Sequence, residues 1–372
     1  MSAPDGERRA WGWLAHLRDG GTTPWREWTD AADQGRRVLP GAQQLELLRR
    51  LNLAGRPPVA LVERVLTASA PGRGRPDLEL AGAVERPRFG PPPVDPGDLP
   101  ADELIRVATS LLADDLVAAG VPPRRVEGPR RPWRTRYRLV GDPWLADPVR
   151  EELVALGRPP GGRGAVVLVL GAGLDRMLVD AWTSRAFDEG GPSWPAFLQE
   201  TAGRRRVPAR VDLVDAARRW SRQVGRGRVK VVLDPAALPR LVGVRRPLPA
   251  PFPVSADATD LARRVGSVLG LLVVPPRRTE LLRHTFLPRV SALGGAPLVV
   301  PDEQLPWVAR RAERVRETLH ADGYPVVGDL DALRPRPRDG AGAPDDDGVL
   351  ALALELLLED AGPGAGDDGR TG

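Results

Sequence analysis

The chain has no cysteine. Disulfides, thiolate metal sites and a cysteine nucleophile are therefore excluded. Lysine is nearly absent: Lys230 is the only one among 54 basic residues. Histidine is scarce, at His16, His284 and His320. There is no HExxH, no paired histidine and no acidic cluster with ligand spacing, so no metal centre is expected. No apolar run approaches the about 18 residues of a membrane span. The opening MSAPDGERRAWGW has no continuous apolar stretch of the kind a signal peptide carries, and a cytoplasmic location is expected.

What is abundant is glycine and proline, 41 of each in 372 residues, which implies long irregular segments. Arginine in place of lysine, with much Ala, Gly and Pro, is the mark of GC-rich coding. The formal charge of +5 is small for this length and alone is weak evidence for nucleic acid, which is not the expected partner. Hydrophobic residues make up 42%, enough for a substantial core.

Periodicity separates two regions. Residues 1–120 read as a helical domain, with GAQQLELLRRLNLAG (41–55), PPVALVERVLTAS (57–69) and PADELIRVATSLLADDLVAAG (100–120) as helices closed by glycines. Trp11, Trp13, Trp25 and Trp28 suit the core of that domain better than a stacking platform for a sugar or base. GGTTPW (20–25) reads as a helix start, with Thr22 or Thr23 as N-cap and Pro24 following. Residues 121–134 form an Arg/Pro-rich linker. From 135 the order is strand (135–141), helix (147–157), strand (165–170), two helices and strand (228–234). AVVLVL (165–170) is apolar on both faces, as a buried parallel strand is. The pattern predicts an α/β domain over 135–335, with a parallel sheet and right-handed crossovers. Residues 336–372 read as a mostly disordered tail around a short helix, 349–360.

Three segments of the second region share a pattern with known proteins. They are VLVLGAGLDRMLVDAWTSRAFDEGGPSWPAFLQE (167–200), DLVDAARRWSRQVGRGRVKVVLDP (212–235) and DEQLPWVARRAERVRETLHADGYPVVGDLDALRP (302–335). In their order and spacing they resemble bacterial, actinobacterial-type sulfotransferases. That resemblance covers 135–335 and implies a P-loop-like α/β fold. The cofactor it implies is 3′-phosphoadenosine 5′-phosphosulfate (PAPS). In that family a glycine-rich loop with a lysine follows the first strand and holds the phosphosulfate at a helix N-terminus. An arginine after the second strand, with a serine eight residues later, holds the 3′-phosphate.

At these positions the chain departs from the family. Gly141, Asp142 and Pro143 match the opening of the loop, but Trp144 stands in place of the lysine. Asp147 and Pro148 read as N-cap and first residue of the next helix. Ala172 and Asp180 occupy the 3′-phosphate positions, with Arg176 nearby. No histidine falls between residues 17 and 283. Glu151 and Glu152 read as solvated residues of the first helix. No catalytic residue is therefore assigned and no cofactor is expected. The expected function is a sulfotransferase-like protein that has lost sulfuryl transfer and acts as a binding or scaffold protein, for an acidic glycan or a protein partner. An active, diverged PAPS-dependent sulfotransferase is the alternative.

A second alternative rests on PPRRVEGPRRPWRTRYR (122–138), which has seven arginines in 17 residues with Trp133 and Tyr137 between them. Such a run can track a nucleic-acid backbone, with Arg130, Arg131 and Arg134 as anion contacts. A solvated linker is the simpler reading. GAGLDR (171–176) lacks the third glycine of a dinucleotide fingerprint.

Overall fold

The structure, a computed structural model, describes residues 3–31, 39–68, 76–83, 90–123, 136–162, 165–204 and 207–360. It is mixed α/β, mostly helical, with one small four-stranded parallel sheet. The chain divides into two compact units that do not follow chain order. One holds residues Met1–Gly120, Leu261–Leu293 and the chain from Asp345. The other holds Val121–Asp260 and Gly294–Pro344. Residues 261–293, expected in the α/β domain, thus group with the N-terminal helices.

The first unit is helical. Its N-terminal part comprises α1 (Ala3–Arg18), α2 (Ala42–Ala54), α3 (Val59–Thr67) and α4 (Ala101–Ala119). In α4 the buried Leu104, Val107, Ala108, Leu111, Leu112 and Leu116 recur every three or four residues, which puts them on one stripe. Gly120 ends the helix at φ 71°, a left-handed conformation that favours glycine, and its N–H bonds to Leu116. Trp13 and Trp25 are buried with ring centroids 5.3 Å apart, and their indoles donate to the carbonyls of Thr23 and Ala81. Trp11, Trp13 and Trp25 are buried, as expected, whereas Trp28 is half-buried and stacks on His16. No threonine caps the turn at Trp25–Glu27; Pro24 holds the N-cap position without a side-chain bond.

The second unit carries β1 (Tyr137–Val140), α5 (Pro143–Ala155), β2 (Val166–Leu170), α6 (Leu174–Glu189), α7 (Trp194–Gly203), α8 (Leu213–Val224), β3 (Val229–Val232) and α9 (Leu238–Leu241). Helix α10 (Ala256–Leu272) follows, and the division between units falls within it. Next come α11 (Pro275–Glu280), a π-helical turn (Leu281–Phe286) and α12 (Leu287–Ala292), all in the first unit. Helix α13 (Leu305–Ala321) and β4 (Val326–Val327) return to the second unit, and α14 (Asp346–Asp360) belongs to the first.

The sheet order is β1-β2-β3-β4, with Leu139 beside Leu168, Val169 beside Val231 and Val232 beside Val327. Alternate residues of β2 face opposite sides. Leu168 and Leu170 pack with Leu139 and with Ala146, Val149 and Leu153 of α5. Val167 and Val169 pack with Met177, Leu178 and Trp182 of α6 and with Val308 and Ala312 of α13. Neighbouring strands therefore send their helices to opposite faces. Helix α5 thus packs on one face of the sheet, and α6, α8 and α13 pack on the other.

Two further expectations are corrected. The first concerns residues 336–344, expected to be disordered. Ala341 donates to Pro297 at 2.8 Å and accepts from Val299 at 2.9 Å, and Trp194 donates from its indole to Gly342 at 3.0 Å. A Cβ on Gly340 would lie 2.4 Å from the Pro297 carbonyl oxygen, so the close pairing requires glycine there. The second concerns the chain beyond it. Helix α14 starts at Asp346 rather than 349, and its Val349, Leu350, Ala353, Leu356 and Leu357 are buried against the first unit's core, where α14 packs along α4. Arg264 joins α4 to α14, pairing with Asp102 at 2.5 Å and with Asp346. Among the described residues no helix is long and apolar enough to cross a membrane.

Candidate functional site

In open parallel sheets ligands bind outside the carboxyl ends of strands, where adjacent connections part to opposite faces. Here that place lies between the β1–α5 and β2–α6 corners. The two corners differ in what they expose.

The β1–α5 corner is closed by its own side chains. Asp142, only 3% exposed, is the N-cap of α5, and its Oδ1 accepts the Trp144 N–H at 2.8 Å. Pro143 takes the first helical position, where its missing N–H costs nothing. The helix thus begins at Pro143, not at Asp147–Pro148. Pro148 lies inside it, and Asp147 pairs with Arg150 instead of capping. Asp142 and Pro143 are a cap pair five residues upstream of the one read from sequence. Trp144 turns inward, 5% exposed, with its ring centroid 5.3 Å from that of Phe187. The carboxylate of Asp142 therefore sits on the helix N-terminus, where the positive end of the dipole would attract an external anion. Asp142→Ala is expected to cost about 1–2 kcal/mol, at the upper range for lost caps because the site is buried. Asp142→Asn should retain most of that. Urea denaturation of the three proteins measures both effects.

The β2–α6 corner opens into a cavity of about 330 Å³. Asp175, Arg176 and Val179 from the first turns of α6 form one side. Leu298, Val300 and Leu305 form an aliphatic wall, and Arg336 and Arg338 stand at the rim. None of residues 141–144 lines it. The two sites expected from sequence are thus on adjacent corners but do not share one pocket. Arg130, Arg131 and Arg134 lie outside the described residues.

Arg176 is committed internally. Its Nε donates to Oδ1 of Asp180, one turn on, at 2.8 Å. Asp180 is 3% exposed, and burial pushes its carboxyl up to about 6. The charges of Arg176 and Arg338 partly offset that rise, while Asp175 adds to it. Asp175 is itself 7% exposed, and its Oδ1 has no hydrogen-bond partner. Arg336 and Arg338 are exposed and alternate with Pro335 and Pro337, which fix φ and stiffen their display. Arg334, the first of that series, pairs with Glu313 and Asp331.

Asp175, Arg336 and Arg338 were missed from sequence. For the two arginines the usable signal is the alternation in RPRPR (334–338), which runs into the tail expected to be disordered. A second cavity of about 490 Å³ is lined by residues between Pro235 and Leu248, none of them buried. Among the described residues no three His, Asp or Glu side chains come together as a metal set. Compared with protein-family models, with curated proteins and with solved structures, the chain matches none.

Proposed function

We propose that the second unit is a sulfotransferase-like, P-loop-like domain without PAPS chemistry, and that the protein works by binding rather than by sulfuryl transfer. The observation that carries this reading is Asp142. The β1–α5 corner is where the resemblance puts the phosphosulfate, and the chain's own carboxylate already bonds the helix N-terminus there. A phosphosulfate would have to displace a buried carboxylate or sit beside it. Two unit negative charges about 4 Å apart repel by roughly 4 kcal/mol at a surface-like dielectric. The second position supports the same reading: Arg176, which lies between the expected 3′-phosphate positions Ala172 and Asp180 in the chain, is paired with Asp180.

Calorimetric titration with 3′-phosphoadenosine 5′-phosphate tests this. No heat of binding is expected up to about millimolar ligand. Micromolar affinity, about −8 kcal/mol, would overturn the proposal. The arginines and backbone would then be replacing the missing lysine.

A further inference from the structure

The cavity at the head of α6 has a polarity that neither phosphate site explains. Its inner side carries Asp175, a carboxylate more than nine-tenths buried whose Oδ1 has no hydrogen-bond partner. A buried acceptor without a donor is costly, and a charged one more so. Its rim carries Arg336 and Arg338, which are exposed and make no ion pair or hydrogen bond with the described residues, although the charge of Arg338 also acts on Asp180. Val179, Leu298, Val300 and Leu305 add aliphatic side chains to the lining, and Asp302 and Asp339 add two exposed carboxylates. Among the described residues no aromatic face lines the space, so they offer a sugar ring no flat platform. The hydrogen bond that Arg176 makes here goes from its Nε to Asp180, not to Asp175. The cavity volume, about 330 Å³, is at the small end of ligand sites.

We infer that this cavity binds a small zwitterion with an aliphatic body, its ammonium on Asp175 and its carboxylate on Arg336 and Arg338. The ammonium supplies the donors that Asp175 lacks. A guanidinium suits a carboxylate because it presents paired N–H donors in one plane. The loop that presents them is pinned by the Trp194 bond to Gly342 and by the Ala341 pairing, so the rim is built before a ligand arrives. The inference rests on reading the protein as a binder.

The test is calorimetry on the full chain with three probes. They are L-leucine, leucinamide (which has no carboxylate) and 4-methylpentanoate (which has no ammonium). Leucine should bind, and each singly charged analogue should bind at least about tenfold more weakly. Asp175→Asn should weaken leucine about tenfold and leave 4-methylpentanoate unchanged. Arg336→Ala with Arg338→Ala should do the reverse, weakening leucine and sparing leucinamide. The two arginines are exposed, so that variant keeps the test open should Asp175→Asn not fold. Three results would each overturn the inference. They are no leucine binding at about 10 mM, leucinamide binding as tightly as leucine, and leucine affinity indifferent to both variants. Binding of 3′-phosphoadenosine 5′-phosphate is a separate result. It would remove the functional proposal above without producing the leucine pattern.

Discussion

Trp194→Ala is expected to lower the stability of the second unit by about 3–5 kcal/mol, the range for deleting a large buried aromatic. Trp194 is fully buried at the start of α7. Its ring lies 5.5 Å from Trp182 and 5.8 Å from Phe197, so three aromatics share one contact surface. It also reaches residues far along the chain, since its indole N–H is the side-chain bond that holds the Gly342 carbonyl. Truncation removes packing and leaves that carbonyl without its donor. Trp194→Phe keeps much of the ring and loses the donor, and roughly 1–3 kcal/mol is expected. Chemical denaturation gives both values. Protection of the amides near Ala341 from hydrogen exchange should fall in both variants, because the loop loses the same anchor. A cost below about 1 kcal/mol for the alanine variant would contradict the packed arrangement around Trp194.

The second large effect concerns Arg176 and is conditional on pH. Asp180 has a folded-state carboxyl at about 6, above its unfolded value of 3.8. A proton is therefore bound more tightly in the folded protein. The associated stability is fully present below about pH 4 and is lost as pH rises through about 6, roughly 3 kcal/mol for two units. Above that window Asp180 is an ionised, buried group whose bonded partner is Arg176. Removing the guanidinium leaves the charge uncompensated. Arg176→Ala should then cost about 3 kcal/mol at pH 8 and much less at pH 4, where Asp180 is protonated and needs no cation. Asp180→Asn should flatten the pH dependence of stability between pH 4 and 8. Urea denaturation at the two pH values separates the cases. Equal costs for Arg176→Ala at both would mean that the pair is not what couples stability to protonation here.

The long regular elements were legible in the sequence. The helix predicted over 100–120 is Ala101–Ala119, and that over 41–55 is Ala42–Ala54. The strands predicted at 165–170 and 228–234 are Val166–Leu170 and Val229–Val232. In these segments the apolar period and the terminating glycines agree, so local preference and tertiary packing pull the same way. The misread segments lack that agreement. Asp142–Pro143 and Asp147–Pro148 are two equally good cap pairs five residues apart, and periodicity does not choose between them. The choice falls to packing, because starting at Pro143 buries Trp144 and Ala146. Strand β4 is two residues long and exists only because Val231 and Leu233 of the neighbouring segment donate to Pro325 and Val327.

The candidate cavity was the least legible part. Its residues come from three separated stretches, near 176, 300 and 338. The last of these has the composition of a disordered tail. Composition reports whether a segment can bury apolar surface of its own. It does not report whether a distant Trp194 will donate to its backbone.

From the sequence alone came the exclusion of cysteine chemistry, the α/β alternation after residue 135, the apolar faces of the helices, and the replacement of a loop lysine by Trp144. Each follows from residue type or from local period. The tertiary structure decided the rest: the sheet order, the regrouping of 261–293 with the first helices, the self-capping of α5 by Asp142, and the pairing that turns Arg336, Arg338 and Asp175 into the lining of one cavity. These depend on contacts between residues far apart in the chain, and no local pattern encodes which distant groups will meet.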